Sequence, residues 1–339
     1  MEMVRSGMGE HFQTFDADGL RGFRRAKDRS LSNKLTTVRE AVARFVTDGS
    51  YVAVGGFGTN RIPTALLHEI IRQGRQHLGL SGHTATHDCQ ILAATGSFDR
   101  CDIAYVVGLE ARGLSPQARR LFESGRVRTC EWTNAALAWR YRAAAMGVPF
   151  LPTRLMGGTD TYRRSAAKTI TCPFTGIPLI LVPALVPDVA LVHVHRADVS
   201  GNGHIEGILI SDPDLARAAK HVILTCEELV PQDYFRENPS RTSIPWFCVD
   251  AVIEVPHGSY PGNMPDRYFS DEDHIREWLQ AERDPETFAA FLREHVLDCE
   301  DFEAYLRRCG GAERLAHLRR VERLIPEPTT QSGRGRGND

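Results

Sequence analysis

"DGSYVAVGGFGTNRIP", residues 48–63, is a short apolar run that ends on Gly55, Gly56, Phe57 and Gly58. Tyr51–Val54 is too short for a helix and enters the glycines directly, so it reads as a buried strand followed by a tight turn. Upstream, Val38, Ala41, Val42, Phe45 and Val46 fall on one helical face, with Thr36 or Thr37 available as N-cap. Downstream, Pro63 opens a second amphipathic helix, "PTALLHEIIRQG", which Gly74 closes. Helix, strand, glycine turn and helix together are a unit of a layered α/β fold.

The same alternation continues along the chain. Strand-like runs recur at residues 102–107, 179–185, 189–195, 221–228 and 248–256, and helical segments such as "SPQARRLFESG", "NAALAWRYRAAAMG" and "DPDLARAAK" lie between several of them. Most of these runs are nearly continuous in apolar residues, as strands buried on both faces are, which predicts an open, mostly parallel sheet covered by helices. Residues 271–325 are helical in pattern and highly charged, and form a C-terminal helical cap on an α/β domain spanning 35–325. Residues 1–34 read as a polar surface arm or oligomer contact, and 326–339, "PEPTTQSGRGRGND", as a disordered tail.

Composition removes several classes of function. With 41 basic and 43 acidic residues there is no global field to draw in nucleic acid or an anionic membrane surface. The longest apolar stretch, 177–194, is cut by Pro183 and Pro187 and reaches His193, which disfavours a membrane span. Eight scattered cysteines without a C-x-x-C pair, and an N-terminus without an apolar signal segment, fit reduced thiols in a cytoplasmic protein.

Several motifs invite a chemical reading. Gly55, Gly56 and Gly58 make neither G-x-G-x-x-G nor a P-loop, so the turn is either a plain strand-end turn or a wall whose bare N–H groups face a ligand. Gly201, Gly203 and Gly207 imitate a dinucleotide fingerprint, but "ILIS" after them is β-like and a helix begins only at Asp212 or Pro213, so no helix N-terminus meets a pyrophosphate. His83 and His87 stand four apart, which would pair two imidazoles on a helix; the surrounding Ser81, Gly82 and threonines indicate a polar loop, and no metal is expected. His193 and His195 share one strand face as core or interface histidines, and no G-x-S-x-G nucleophile elbow is present. Glu131, beside Trp132, is either a surface acid or an auxiliary acid/base, and Arg61 either solvated or a bidentate partner for a substrate carboxylate.

The opening stretch resembles the signature of family I CoA-transferase α subunits: Asp48-Gly49, two residues on the apolar Val52-Ala53-Val54, then Gly55-Gly56-Phe57 and Pro63. The glycine usual two positions before the proline is replaced by Arg61, a departure similar to the glutaconate CoA-transferase branch, with which 142–158, 187–203, 218–230 and 244–264 also agree. The resemblance implies a chain that moves CoA between an acyl-CoA and a (di)carboxylic acid, in an α2β2 assembly whose β subunit supplies the nucleophilic glutamate from an S-E-N-G motif. This chain has none; Ser200-Gly201-Asn202-Gly203 places glycine where that glutamate would stand. Coenzyme A then enters as substrate and no cofactor is expected. The implied CoA/substrate-binding residues are Gly55, Gly56, Phe57, Gly58, Arg61, Ser81 and Gly82, with Glu131 as an auxiliary. The alternatives are an acyl-CoA hydrolase or decarboxylase on the same scaffold, or a non-catalytic or nucleotide-binding α/β protein.

Overall fold

The computed structural model of the chain describes residues 3–13, 16–106 and 112–326. In chain order its strands are β1 (Met3–Ser6), β2 (Tyr51–Val54), β3 (Leu78–Gly82), β4 (Phe98–Ile103), β5 (Arg128–Glu131), β6 (Phe150–Thr153), β7 (Lys168–Thr171), β8 (Pro178–Pro183), β9 (Val189–Ala197), β10 (Gly203–His204), β11 (His221–Leu229) and β12 (Ala251–Glu254). The main sheet runs β12-β11-β9-β2-β3-β4-β5 with every pair on that path parallel, and short β10 adds antiparallel to β9.

The sheet is open and helix-covered, and β2 shows why its strands read as unbroken apolar runs. Val52 and Val54 enter one core with Ile70, Leu80, Leu92 and Leu191, while Tyr51 and Ala53 enter the other with Tyr141, Val192 and Leu224. Both faces therefore demand apolar side chains. The helix Val38–Phe45 starts on a capping box between Thr37 and Glu40, and Thr64–Arg72 follows Pro63. The C-terminal helices share the first core through Trp278, Phe291, Val296, Phe302 and Tyr305. Among the described residues no helix is long and apolar enough to cross a membrane, and all eight cysteines are free thiols.

Three sequence expectations are corrected. The run 179–185 supplies β8, which leaves the parallel sheet for a four-stranded antiparallel one, β1-β7-β8-β6; its pattern alternates, with Ile180 and Val182 inward between half-buried neighbours. The strand placed at 102–107 is β4 and ends at Ile103, with position 107 outside the described residues. The stretch around His83 and His87 is β3 followed by the helix His87–Ala94, not one polar loop. The 1–34 arm contains β1 and the helix Ala17–Ala26, and Lys27 Nζ reaches Asp250 at 2.7 Å. Nearly all of the tail, 327–339, lies outside the described residues.

Candidate active site

From β2 the chain winds outward through β3, β4 and β5 in one direction; from β9 it winds through β11 and β12 in the other. The segments leaving the carboxyl ends of adjacent β2 and β9 therefore part, which makes this the topological switch point, the place where open α/β sheets take their ligands in a crevice. The turn Gly55 to Arg61 forms one wall. The segment 198–211 after β9 forms the other.

Asp212, first residue of the helix Asp212–Ala218, joins the two walls. Its Oδ1 accepts the Gly56 N–H at 2.9 Å and its Oδ2 accepts Arg61 Nη2 at 3.0 Å. Arg61 Nη2 also donates to the Ile208 carbonyl at 2.8 Å. The Arg61 and Asp212 side chains are 2% and 1% exposed, so Arg61 is a buried structural cation here and not a solvated one. A Cβ on Gly55 would lie 2.6 Å from Asp212 Oδ1, so the carboxylate can approach only because residue 55 lacks a side chain.

The glycine turn is tied down from within. Gly55 N–H donates to Leu191 O at 2.8 Å, Phe57 N–H to Asn60 O at 3.0 Å and Gly58 N–H to His83 O at 3.3 Å, while Thr86 Oγ1 donates to Gly58 O at 2.7 Å. With Gly56 bound to Asp212, every N–H from 55 to 58 has an internal acceptor, which corrects the reading of a wall whose bare N–H groups face a ligand. Within 55–58 only Phe57 shows appreciable surface.

His83, just beyond β3, adds what the sequence reading missed. It is buried, and burial lowers its pKa to about 4, so the imidazole is neutral at pH 7. Its Nε2 and Arg61 Nη1 are buried without a hydrogen-bond partner, and His83 senses the charge of Asp212. Two unsatisfied polar atoms by one carboxylate mark a place where a ligand atom can be received. Asp212 was hidden in the sequence because an acid at a helix start reads as a cap.

The remaining predicted residues are less exposed to the crevice. Ser81 is buried and accepts the Tyr141 hydroxyl at 2.7 Å, and a Cβ on Gly82 would meet Asp88 Oδ2 at 2.6 Å. Both shape the end of β3 beneath the turn. Glu131 closes edge strand β5, three strand spacings or about 14 Å from β2 across the sheet. It accepts Arg164 Nη1 at 2.9 Å, with 28% of its side chain exposed. The structure thus gathers Gly55–Gly58, Arg61, Ser81 and Gly82 at the ends of β2 and β3 and leaves Glu131 at the edge.

A family model described as Coenzyme A transferase matches residues 35–255. The chain is 33% identical over 309 residues to the A subunit of glutaconate CoA-transferase from Acidaminococcus fermentans, covering 86% of this chain and 96% of that one. It is 37% identical over 276 residues to the A subunit of 3-oxoadipate CoA-transferase from Pseudomonas knackmussii, covering 80% and 96%. The crystal structure of the Acidaminococcus fermentans glutaconate CoA-transferase superposes with a TM-score of 0.80 at 32% identity, over 84% of this chain and 95% of that one. The decarboxylase AibA/AibB superposes at 0.70 with 33% identity, over 77% and 97%. A glycine turn at the switch point of a parallel sheet, a family match spanning both walls of the crevice, and relatives matched over nearly their whole length agree: this chain belongs to the coenzyme A transferase family.

Proposed function

We propose that this chain is the α-type subunit of a CoA-transferase, forming one side of a site that moves CoA between an acyl-CoA and a carboxylic or dicarboxylic acid. The nucleophilic glutamate comes from a β-type partner, and it attacks the thioester to give an acyl-glutamyl anhydride and then an enzyme-CoA thioester. The observation that carries this reading is the state of the crevice. Its inner groups are buried, with Gly56 and Arg61 Nη2 held by Asp212, whereas Ile208, Leu209 and Ile210 at its border stay exposed, Ile208 by 72%. Three adjacent aliphatic side chains in water are what a partner chain would cover. The A subunits of two CoA-transferases among the relatives support the same division of labour.

A decarboxylase on this scaffold is the second reading, favoured by the 33% identity to AibA/AibB, equal to that with the glutaconate enzyme. The test is to purify the chain alone and co-purified with a β-type chain that has a glutamate in S-E-N-G, and to follow CoA exchange between acyl-CoA and free acids. Exchange and a borohydride- or hydroxylamine-trappable enzyme-CoA thioester are expected only with both chains. Full activity of the isolated chain would overturn the proposal, and release of CO2 without exchange would select the second reading.

A further inference from the structure

Outside the crevice, the C-terminal helices bring three ligand-type side chains together. His274 lies on the helix Glu272–Ala281, His295 in the wide turn Arg293–Leu297, and Cys309 follows the helix Phe302–Arg308. One ligating atom from each lies within 4.8 Å of the other two. His274 Nε2 and Cys309 Sγ are 3.7 Å apart. Nitrogen at ~2.05 Å and sulfur at ~2.3 Å from a tetrahedral centre stand about 3.5 Å from each other. The pair is already nearly at that separation.

The other ring nitrogens set the orientation. His295 Nδ1 lies 3.1 Å from the Phe291 carbonyl, so it carries the proton and leaves Nε2 as the free lone pair. His274 Nδ1 faces Glu277 Oε2 at 3.5 Å, which likewise directs Nε2 to the cluster. A carbonyl or carboxylate behind each imidazole is how metal-binding histidines are held. Burial pushes the Cys309 thiol up to about 12; the Tyr260 hydroxyl beside it donates to Asp271 Oδ2 at 2.7 Å, which leaves Tyr305 as the hydroxyl that would stabilise a thiolate. Tyr305 OH also lies 2.9 Å from His274 Nε2, so it is the group a cation displaces, turning wholly to the sulfur. A cavity of about 480 Å³ lined by these three residues with Asp271, Asp273 and Glu277 admits solvent as a fourth ligand. Its two arginines are engaged elsewhere: Arg314 on Asp271 and Asp273, Arg308 on the Glu294 carbonyl.

We propose that His274, His295 and Cys309 bind one thiophilic divalent cation of the zinc class, tying three helical segments of the C-terminal region together. Two imidazole nitrogens and one thiolate sulfur suit Zn2+ and not the oxygen-seeking Mg2+ or Ca2+. Binding forms two N–metal bonds and one S–metal bond and releases the Cys309 thiol proton to solvent. The proposal departs from the expectation of a chain without metal, which considered only the close spacing of His83 and His87. Here Cys309 is 35 residues beyond His274.

The test uses the whole chain stripped with chelator and titrated with Co2+ as a spectroscopic probe, then with Zn2+ in competition. One equivalent of Co2+ is expected to give a thiolate charge-transfer band, and Zn2+ to remove it. Cys309→Ser and His295→Gln should bind more weakly by on the order of 10²-fold while melting like the stripped parent. Because a variant can misfold, the parent is also alkylated: Zn2+ should slow labelling of Cys309 at least about tenfold and leave the half-buried Cys172 unchanged. Absence of the band in the parent, its persistence in Cys309→Ser, or equal labelling of Cys309 with and without Zn2+ would overturn the proposal.

Discussion

Gly56 and Gly58 sit two positions apart, both with positive φ, +82° and +61°, yet they answer to different constraints. A Cβ on Gly56 would lie 2.3 Å from Asn60 O and 2.9 Å from Arg61 O, whereas one on Gly58 would meet nothing within 4 Å. Gly58→Ala is therefore expected to lose only about 1 kcal/mol from the left-handed conformation, and Gly56→Ala clearly more because backbone must move. Urea melts of the two variants check this, and equal losses would remove the steric argument. Asp212 gives the second expectation. Asp212→Ala leaves Arg61 charged and buried without its partner, at a cost of about 3–5 kcal/mol. Adding Arg61→Met should recover a substantial part of that loss in the same melts; simple additivity would show that the two residues do not act as a pair. The glycines were legible because their chemistry is local. The state of Arg61 was not, since Asp212 is 151 residues away.

Elements whose burial is the same on both faces were read correctly from sequence, as β2, β9 and β11 show, and so were helices with their own stop signals, such as Gly74 at φ +65° after Thr64–Arg72. Among the misread elements is the β3–helix unit. Ser81 and Gly82 suggested a loop, but Ser81 receives the Tyr141 hydroxyl, and Gly79 in the same strand makes room for the Tyr51 ring, whose Cδ2 would lie 2.3 Å from a Cβ there. Small residues in that strand serve packing across the sheet, a tertiary demand that no local pattern reveals. The helix after it carries Asp88 in its first turn, and burial raises the pKa of that carboxyl to about 7. A carboxyl with a raised folded-state pKa binds its proton more tightly when folded, so its stabilising effect is present below about pH 4 and is lost as pH rises toward 7. Asp88→Asn, which keeps the neutral shape, should gain stability relative to the parent between about pH 4.5 and 8, by a few kcal/mol at most, each tenfold difference in proton affinity between folded and unfolded chain being worth about 1.4 kcal/mol. His83, His87 and His274, each lowered to about 4 mainly by burial, act with the opposite sign below pH 6.5, but they are common to both proteins and cancel in the difference. A pH-independent difference in the urea melts would show that Asp88 does not titrate in this range.

At the scale of the molecule, the parallel sheet and the family were legible because the motif after β2 is local, while the second sheet and the His274–His295–Cys309 cluster were not, since each depends on contacts between distant segments. The exposed border of the crevice yields an expectation for assembly. Ile208→Asp should weaken association with a β-type chain at least about tenfold, roughly 1.4 kcal/mol, in size-exclusion or titration experiments, and leave the melt of the lone chain unchanged because Ile208 is already in water. Undiminished association would place the partner elsewhere. The seam between β2 and β9 carries one more consequence. Tyr51 N–H bonds the Asp188 carboxylate 137 residues later, and β2 cannot take its place beside β9 before that segment exists. On a ribosome adding about 5–20 residues per second, the glycine turn waits on the order of ten seconds for its second wall. During that interval the edge of β2 that will face β9 has no native partner, and an unpaired strand edge is where a nascent chain is most open to misassembly.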